Sequence, residues 1–175
     1  EWQVFLNEWT LYLNEVVESL RPHLWARTGY KKYVEGNHYQ CDYRDDELLA
    51  LLDAICVQAE EPINFLHEQE YDGRGLERYL FPYRCLLDLY APLLEDEGIG
   101  DQLLALLVKH VNGYSGLGRV IASCLGQAKL SKRQGAYLIS WAEEKLAALA
   151  LQDGIRRSTM AHELVLVIGW SYMVD

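Results

Sequence analysis

The chain has little with which to be stapled, to span a bilayer or to grip nucleic acid. Its four cysteines, Cys41, Cys56, Cys85 and Cys124, stand far apart with no CxxC pair. That spacing excludes the dense disulfide framework of a small secreted scaffold, so free thiols in a reducing, cytoplasmic compartment are expected. The longest uncharged stretch near the C-terminus, Leu164 to Val174, covers eleven residues, whereas a membrane-spanning helix takes roughly 20. No membrane crossing is expected. Basic residues are outnumbered, 16 against 26 acids, for a net charge of −10. An ordinary nucleic-acid binder carries a basic footprint, so this deficit argues against direct nucleic-acid contact. The opening Glu1-Trp2-Gln3-Val4 lacks a basic n-region and a small-residue cleavage site, so no signal peptide is expected, while the missing initiator Met leaves trimming open.

Signatures of catalysis are also scarce. There is no HExxH and no GxSxG, and Glu-x-x-His does not appear in the duplicate that a di-iron bundle needs. The glycine-rich run Gly113 to Gly118 precedes a helical pattern but lacks the GK[ST] ending of a P-loop, and no strand leads into it. Neither a cofactor nor a metal is expected, and the leading reading assigns no catalytic residue.

What remains is a chain built to fold. Half of its 175 residues are hydrophobic, with five Trp and twelve Tyr, which is enough to form a core without staples. The expectation is one domain over residues 1–175, an all-α irregular bundle of roughly six to eight helices. Apolar positions from Trp2 to Leu20 recur at three and four, the period of one helix face. Arg21-Pro22 should end that helix, because the residue before a proline avoids the helical region. From Gly29 to Tyr43 the period dissolves into a tyrosine-rich loop. Asp45, Asp46 and Glu47 then supply negative charge to a helix start, where the macrodipole favours it, and Leu48 to Val57 follows.

Pro62 is placed to open a second, abutting helix, and Asp72-Gly73-Arg74-Gly75 reads as a turn. Pro82 and Pro92 should kink or split the helical period from Leu76 to Leu94. After Gly98-Ile99-Gly100, Asp101 opens a helix through Val111, and a short one follows to about Leu125. Ser131-Lys132-Arg133-Gln134 matches a capping box that starts a helix to about Leu151. A final apolar helix, Leu164 to Trp170, is expected at the centre of the bundle. Cys56 and Cys124 fall in apolar runs and should be buried and inert. Leu-Leu-Ala-Leu-Leu occurs at residues 48–52 and again at 103–107, most simply as core stripes, though a leucine-rich helix-docking motif has the same form.

The charge is unevenly spread. Residues 45–100 hold fourteen acids against Arg74, Arg78 and Arg84, a balance of −11, whereas residues 101–135 carry +4. Such asymmetry bears on partners and encounter rates. Asp72, Glu77, Asp88, Glu95, Asp96 and Glu97 are the candidate contacts for a basic protein partner. Tyr33 and Tyr39 of the loop join them, because tyrosine offers large contact area at small entropic cost. The loop also places Glu35, His38, Cys41 and Asp42 close together, ligand types suited to zinc, but no second ligand pair completes a structural site. Small acidic helical proteins of this type include toxin-neutralising immunity proteins and phage inhibitors that mimic nucleic acid. The leading expectation is therefore a non-enzymatic inhibitor or immunity-type protein, of open oligomeric state; a structural or adaptor subunit is a further alternative.

A separate reading rests on Arg157-Ser158-Thr159-Met160-Ala161-His162, which resembles the R-x4-6-H motif of HEPN-family ribonucleases. That resemblance implies an all-helical dimer in which Arg157 holds the scissile phosphate and His162 moves a proton around a 2′-hydroxyl. It covers six residues, and Ser158 stands where the family often has asparagine. Arg156 offers a rival register. The plain alternative is a helix-start histidine beside solvated arginines.

Overall fold

The computed structural model describes residues 2–29, 40–68, 73–111 and 116–149. Among these residues it is all-α, with six α-helices, a short 3-10 helix and no strand. In chain order they are α1 (Trp2–Thr28), α2 (Asp45–Glu68), α3 (Gly73–Tyr90), the 3-10 helix Ala91–Glu95, α4 (Gly100–Lys109), α5 (Gly116–Gln127) and α6 (Lys132–Leu149).

Pro22 and Pro62, expected to mark helix boundaries, sit inside helices instead, and Pro82, expected to kink or split its helix, does not split it. α1 runs through Pro22 to Thr28, α2 runs through Pro62, and α3 runs through Pro82. A helix-interior proline costs about 3 kcal/mol, an amount that packing of the flanking turns can offset. Beyond Pro22, Leu24 is fully buried. The Thr28 hydroxyl donates to the Leu24 carbonyl at 2.8 Å, and Arg27 ties the helix end to two other segments. Gly29 then stops α1 with φ +68, the left-handed position after a helix end that favours glycine. Pro92 behaves as expected: it lies in the first turn of the 3-10 helix, directly after α3 ends. Of the turn expected at residues 72–75, positions 73–75 belong to α3 instead, and Asp72 lies outside the described residues.

Within the core, α3 is central, packed against α1 on one side and α5 on the other, with α2 bridging to α4 and α5. Leu13, Val17, Leu20 and Leu24 of α1 meet Leu80, Tyr83, Leu86 and Leu87 of α3, Leu48 and Leu52 of α2, and Leu103 and Leu107 of α4 in one cluster. Each buried leucine contributes roughly 1.5–3 kcal/mol relative to exposure. Both Leu-Leu-Ala-Leu-Leu runs supply core residues, through Leu48 and Leu52 and through Leu103, Leu104 and Leu107.

The buried hydroxyls of Tyr90 and Tyr83 both find partners. The hydroxyl of fully buried Tyr90 donates to the Leu48 carbonyl at 2.8 Å, and the Trp9 indole N–H donates to the Tyr83 hydroxyl. Leu6 packs on Tyr79, Trp9 meets Tyr83, and Arg27 reaches Asp96 beyond the end of α3. Contacts therefore advance together along both helices, and α1 and α3 run parallel.

The capping box at Ser131 is formed as expected. The Ser131 hydroxyl accepts from the Gln134 N–H at 3.2 Å, and the Gln134 side-chain oxygen accepts from the Ser131 N–H at 2.9 Å. Gln134 is itself buried and donates to the Leu94 carbonyl, so the cap also fastens α6 to the 3-10 helix. Gly100 is packed so closely there that an added Cβ would lie 2.5 Å from the Leu94 carbonyl oxygen. The final helix expected over residues 164–170 lies outside the described residues.

Candidate functional site

The acidic stretch reaches the surface at Glu95-Asp96-Glu97, where the 3-10 helix gives way to α4. Pro92 has no N–H to donate and suits a first turn, and the short helix it opens with Ala91 closes two residues before Glu97. The middle acid of the three is bound into the fold. One Asp96 carboxylate oxygen accepts from the N–H groups of Gly98 and Ile99 at 2.8 and 3.3 Å. The other accepts from Arg27 Nη1 at 2.8 Å. Arg27, then these backbone N–H groups, hold the Asp96 carboxyl below its usual range. Because the charged form accepts these bonds, the proton is held less tightly.

Arg27 also reaches Asp45 at 3.4 Å, so one guanidinium joins the ends of α1, α2 and the 3-10 segment. Glu95 and Glu97 flank this clasp. Both are exposed, and neither forms an ion pair among the described residues.

Asp88, one turn of α3 before the 3-10 helix, comes to the same side. With Pro92, Glu95, Cys124 and Lys129 it lines a shallow cleft of about 240 Å³. Partial burial raises its pKa, and the charge of Arg84 works in the opposite direction. Glu77 is separate: exposed on α3, it accepts from Arg84 at 3.3 Å. Of the sequence-predicted partner contacts, the structure thus brings Asp88 and Glu95 to one cleft, leaves Glu97 exposed two residues further on, ties Asp96 to Arg27 and leaves Glu77 on another part of α3. Asp72, Tyr33 and Tyr39 lie outside the described residues.

The remaining candidates divide in the same way. Arg157 and His162, with Arg156, lie outside the described residues, as do Glu35 and His38. Cys41 and Asp42 are described, and His23 of α1 joins them. The Asp42 N–H donates to His23 Nδ1 at 3.3 Å, and the His23 ring meets Tyr43 edge-on at 5.0 Å. The Cys41 thiol points to the Tyr43 carbonyl at 3.5 Å. These contacts fix the start of α2 against α1. Among the described residues no group of three metal-ligating side chains converges.

A second charged cluster was not legible in the sequence. Asp53 of α2 meets buried His110 at the end of α4, with His110 Nε2 and Asp53 Oδ1 2.7 Å apart, and accepts from Lys109 Nζ at 3.1 Å. His110, then Lys109, hold the Asp53 carboxyl below its usual range. Basic side chains at a helix C-terminus complement its dipole, which is the only local signal; the partner lies 57 positions away.

Cys56 stands one turn from Asp53, so the three residue types are those of a nucleophile, a base and an orienting acid. The chemistry does not follow. Burial pushes the Cys56 thiol up to about 12, whereas a nucleophilic cysteine needs a depressed value. Cys124 is likewise pushed up to about 12 by burial, and its thiol faces the Leu87 carbonyl. All four cysteines are free thiols.

A cleft of about 250 Å³ also opens between α4 and α6, with Leu104, Ala105 and Tyr137 in its wall and the Asp101–Arg133 ion pair at its rim. No known family model matches the chain, and neither a curated protein nor a solved structure matches it.

Proposed function

We propose that this chain is a non-enzymatic acidic binding protein that neutralises a basic protein partner in the cytoplasm, as an inhibitor or immunity-type protein does. The observation that carries the reading is the cleft lined by Asp88 and Glu95, with exposed Glu97 two residues beyond Glu95. None of these carboxylates makes an ion pair among the described residues, while the neighbouring Asp96 is locked to Arg27. Fixed backbone beneath exposed charge lowers the ordering cost of association. Complementary charge would make that association fast and sensitive to salt. That no described helix is long and apolar enough to cross a membrane accords with such a role.

The test is affinity capture of the tagged chain from its native source, in parallel with a Glu95→Lys/Glu97→Lys variant. A single basic protein retained at low salt, released by roughly 0.5 M salt and lost in the variant is the expected result. Recovery of only nucleic acid or small molecules, or equal capture by the variant, sinks the reading. The ribonuclease alternative rests on the spacing of Arg157 and His162 and predicts RNA cleavage that His162→Ala abolishes.

A further inference from the structure

The two halves of α1 differ in how their aromatic rings and carboxylates are matched. In the C-terminal half, Arg21 pairs with Glu18 at 2.7 Å and sets its guanidinium over the Trp25 ring, 5.6 Å from the centroid. A cation shared by a carboxylate and an aromatic face satisfies both. The N-terminal half has the same two kinds of acceptor and no cation. Glu8 stands four residues before Tyr12 and Glu15 three after it, a spacing that puts all three on one helix face. Both glutamates are exposed, and neither forms an ion pair among the described residues. The first twenty residues contain no Lys or Arg.

Apolar side chains border those carboxylates. Leu13, Val17, Leu20 and Leu24 face the core, whereas Val4, Leu11 and Tyr12 are 62%, 65% and 51% exposed. The outward face repeats every seven residues, from Val4 to Leu11, from Phe5 to Tyr12 and from Glu8 to Glu15. That period belongs to a helix on which a second helix lies at a shallow angle. The patch is also stiff. The Tyr12 ring lies 5.4 Å from that of Trp9, whose indole N–H donates to the buried Tyr83 hydroxyl, so contact costs little side-chain ordering.

Charge selects the second helix. Two copies paired about a two-fold axis would set the glutamates of one against those of the other with no cation between them, which is repulsive. The same charges repel an anionic membrane surface. We infer that the outward face of α1 over residues 4–15 docks a basic amphipathic helix of another protein. The apolar side of that helix meets Val4, Leu11 and Tyr12, and its Lys or Arg side chains meet Glu8 and Glu15, as Arg21 meets Glu18 and Trp25 within α1. The face lies towards the other end of α1 from the Arg27–Asp96 clasp, so the inference stands independently of the cleft at Asp88 and Glu95.

Fluorescence anisotropy of dye-labelled synthetic peptides, titrated with the full chain, tests this. The probe is a peptide of about three heptads, with leucine at the apolar positions and arginine beside them; its counterpart carries glutamate in place of arginine. The basic peptide is expected to bind and the acidic one not, with binding weakening as salt rises from about 0.05 to 0.5 M. Leu11→Glu, a change at an exposed position, weakens binding at least about tenfold. Glu8→Lys/Glu15→Lys reverses the preference, losing the basic peptide and gaining the acidic one. Glu143→Lys/Glu144→Lys, an equal change of net charge at exposed positions of α6, leaves both titrations close to the parent's. No binding of the basic peptide, its retention by Glu8→Lys/Glu15→Lys, equal weakening by Glu143→Lys/Glu144→Lys, or a chain that sediments as a dimer until Leu11→Glu separates it overturns the inference. Partner capture with Glu95→Lys/Glu97→Lys reads the cleft alone, so either reading can fail without the other.

Discussion

The junction of α2 with α4 and the segment Glu95-Asp96-Glu97 at the end of the 3-10 helix draw on the same acidic stretch and use it in opposite ways. At the junction, Asp53 is consumed by His110 and Lys109 and joins two helices. At the end of the 3-10 helix, Glu95 and Glu97 are left to solvent on either side of an Asp96 that Arg27 has taken. A net charge of −11 over residues 45–100 is therefore not a map of a binding surface. Some of those carboxylates are structural, and Glu95 and Glu97, one residue away from Asp96, are exposed.

Removing the anchor should have the largest effect. Asp96→Ala strips the acceptor from two backbone N–H groups and from Arg27, and is expected to lower stability by about 2–3 kcal/mol in urea unfolding. An unchanged midpoint would mean that this segment holds itself and that the contrast with Glu95 and Glu97 is unfounded. Next comes His110→Ala, which empties a buried position and leaves Asp53 with Lys109 alone. A loss of about 1–2 kcal/mol is expected by the same measurement.

Acid sharpens the distinction further. Asp53 and Asp96 both have carboxyls held below the ordinary range in the folded state, so below roughly pH 4 the unfolded chain takes up protons that the folded chain resists. Their contribution is full above that pH and is lost as pH falls through the folded values. In an Asp53→Asn/Asp96→Asn variant, urea midpoints should be lower at neutral pH and decline less steeply on acidification. A decline as steep as the parent's would place the acid sensitivity elsewhere. The smallest effect belongs to Glu95→Lys/Glu97→Lys, expected to shift stability by no more than about 0.5 kcal/mol, so that any loss of partner capture reports on the surface itself.

The sequence made local features readable and left distant ones hidden. The capping box joins Ser131 to Gln134 across three residues, and the apolar period of α1 repeats within a few turns; both were legible. Pro22 and Pro62 misled, because the steric rule they obey is local while the fold that carries the helix past them is not. Pro92 broke its helix because the chain there turns into the 3-10 segment on which α4 and α6 both rest. The Arg27 clasp and the Asp53–His110 pair bridge 69 and 57 positions, a separation over which no residue pattern names its partner. For the same reason, nothing in the sequence sets Asp96 apart from its neighbours Glu95 and Glu97, although it alone of the three is tied to Arg27.

The parallel course of α1 and α3 has a kinetic meaning. Two antiparallel helices joined by a short turn can meet almost as soon as they form. Trp9 and Tyr83 lie 74 positions apart, and their helices can align only after α2 has carried the chain back to its starting end. Loop-closure entropy over that distance precedes the packing that rewards it. This domain should accordingly fold more slowly than an up-and-down bundle of equal helix content, with the indole of Trp9 reporting a late event.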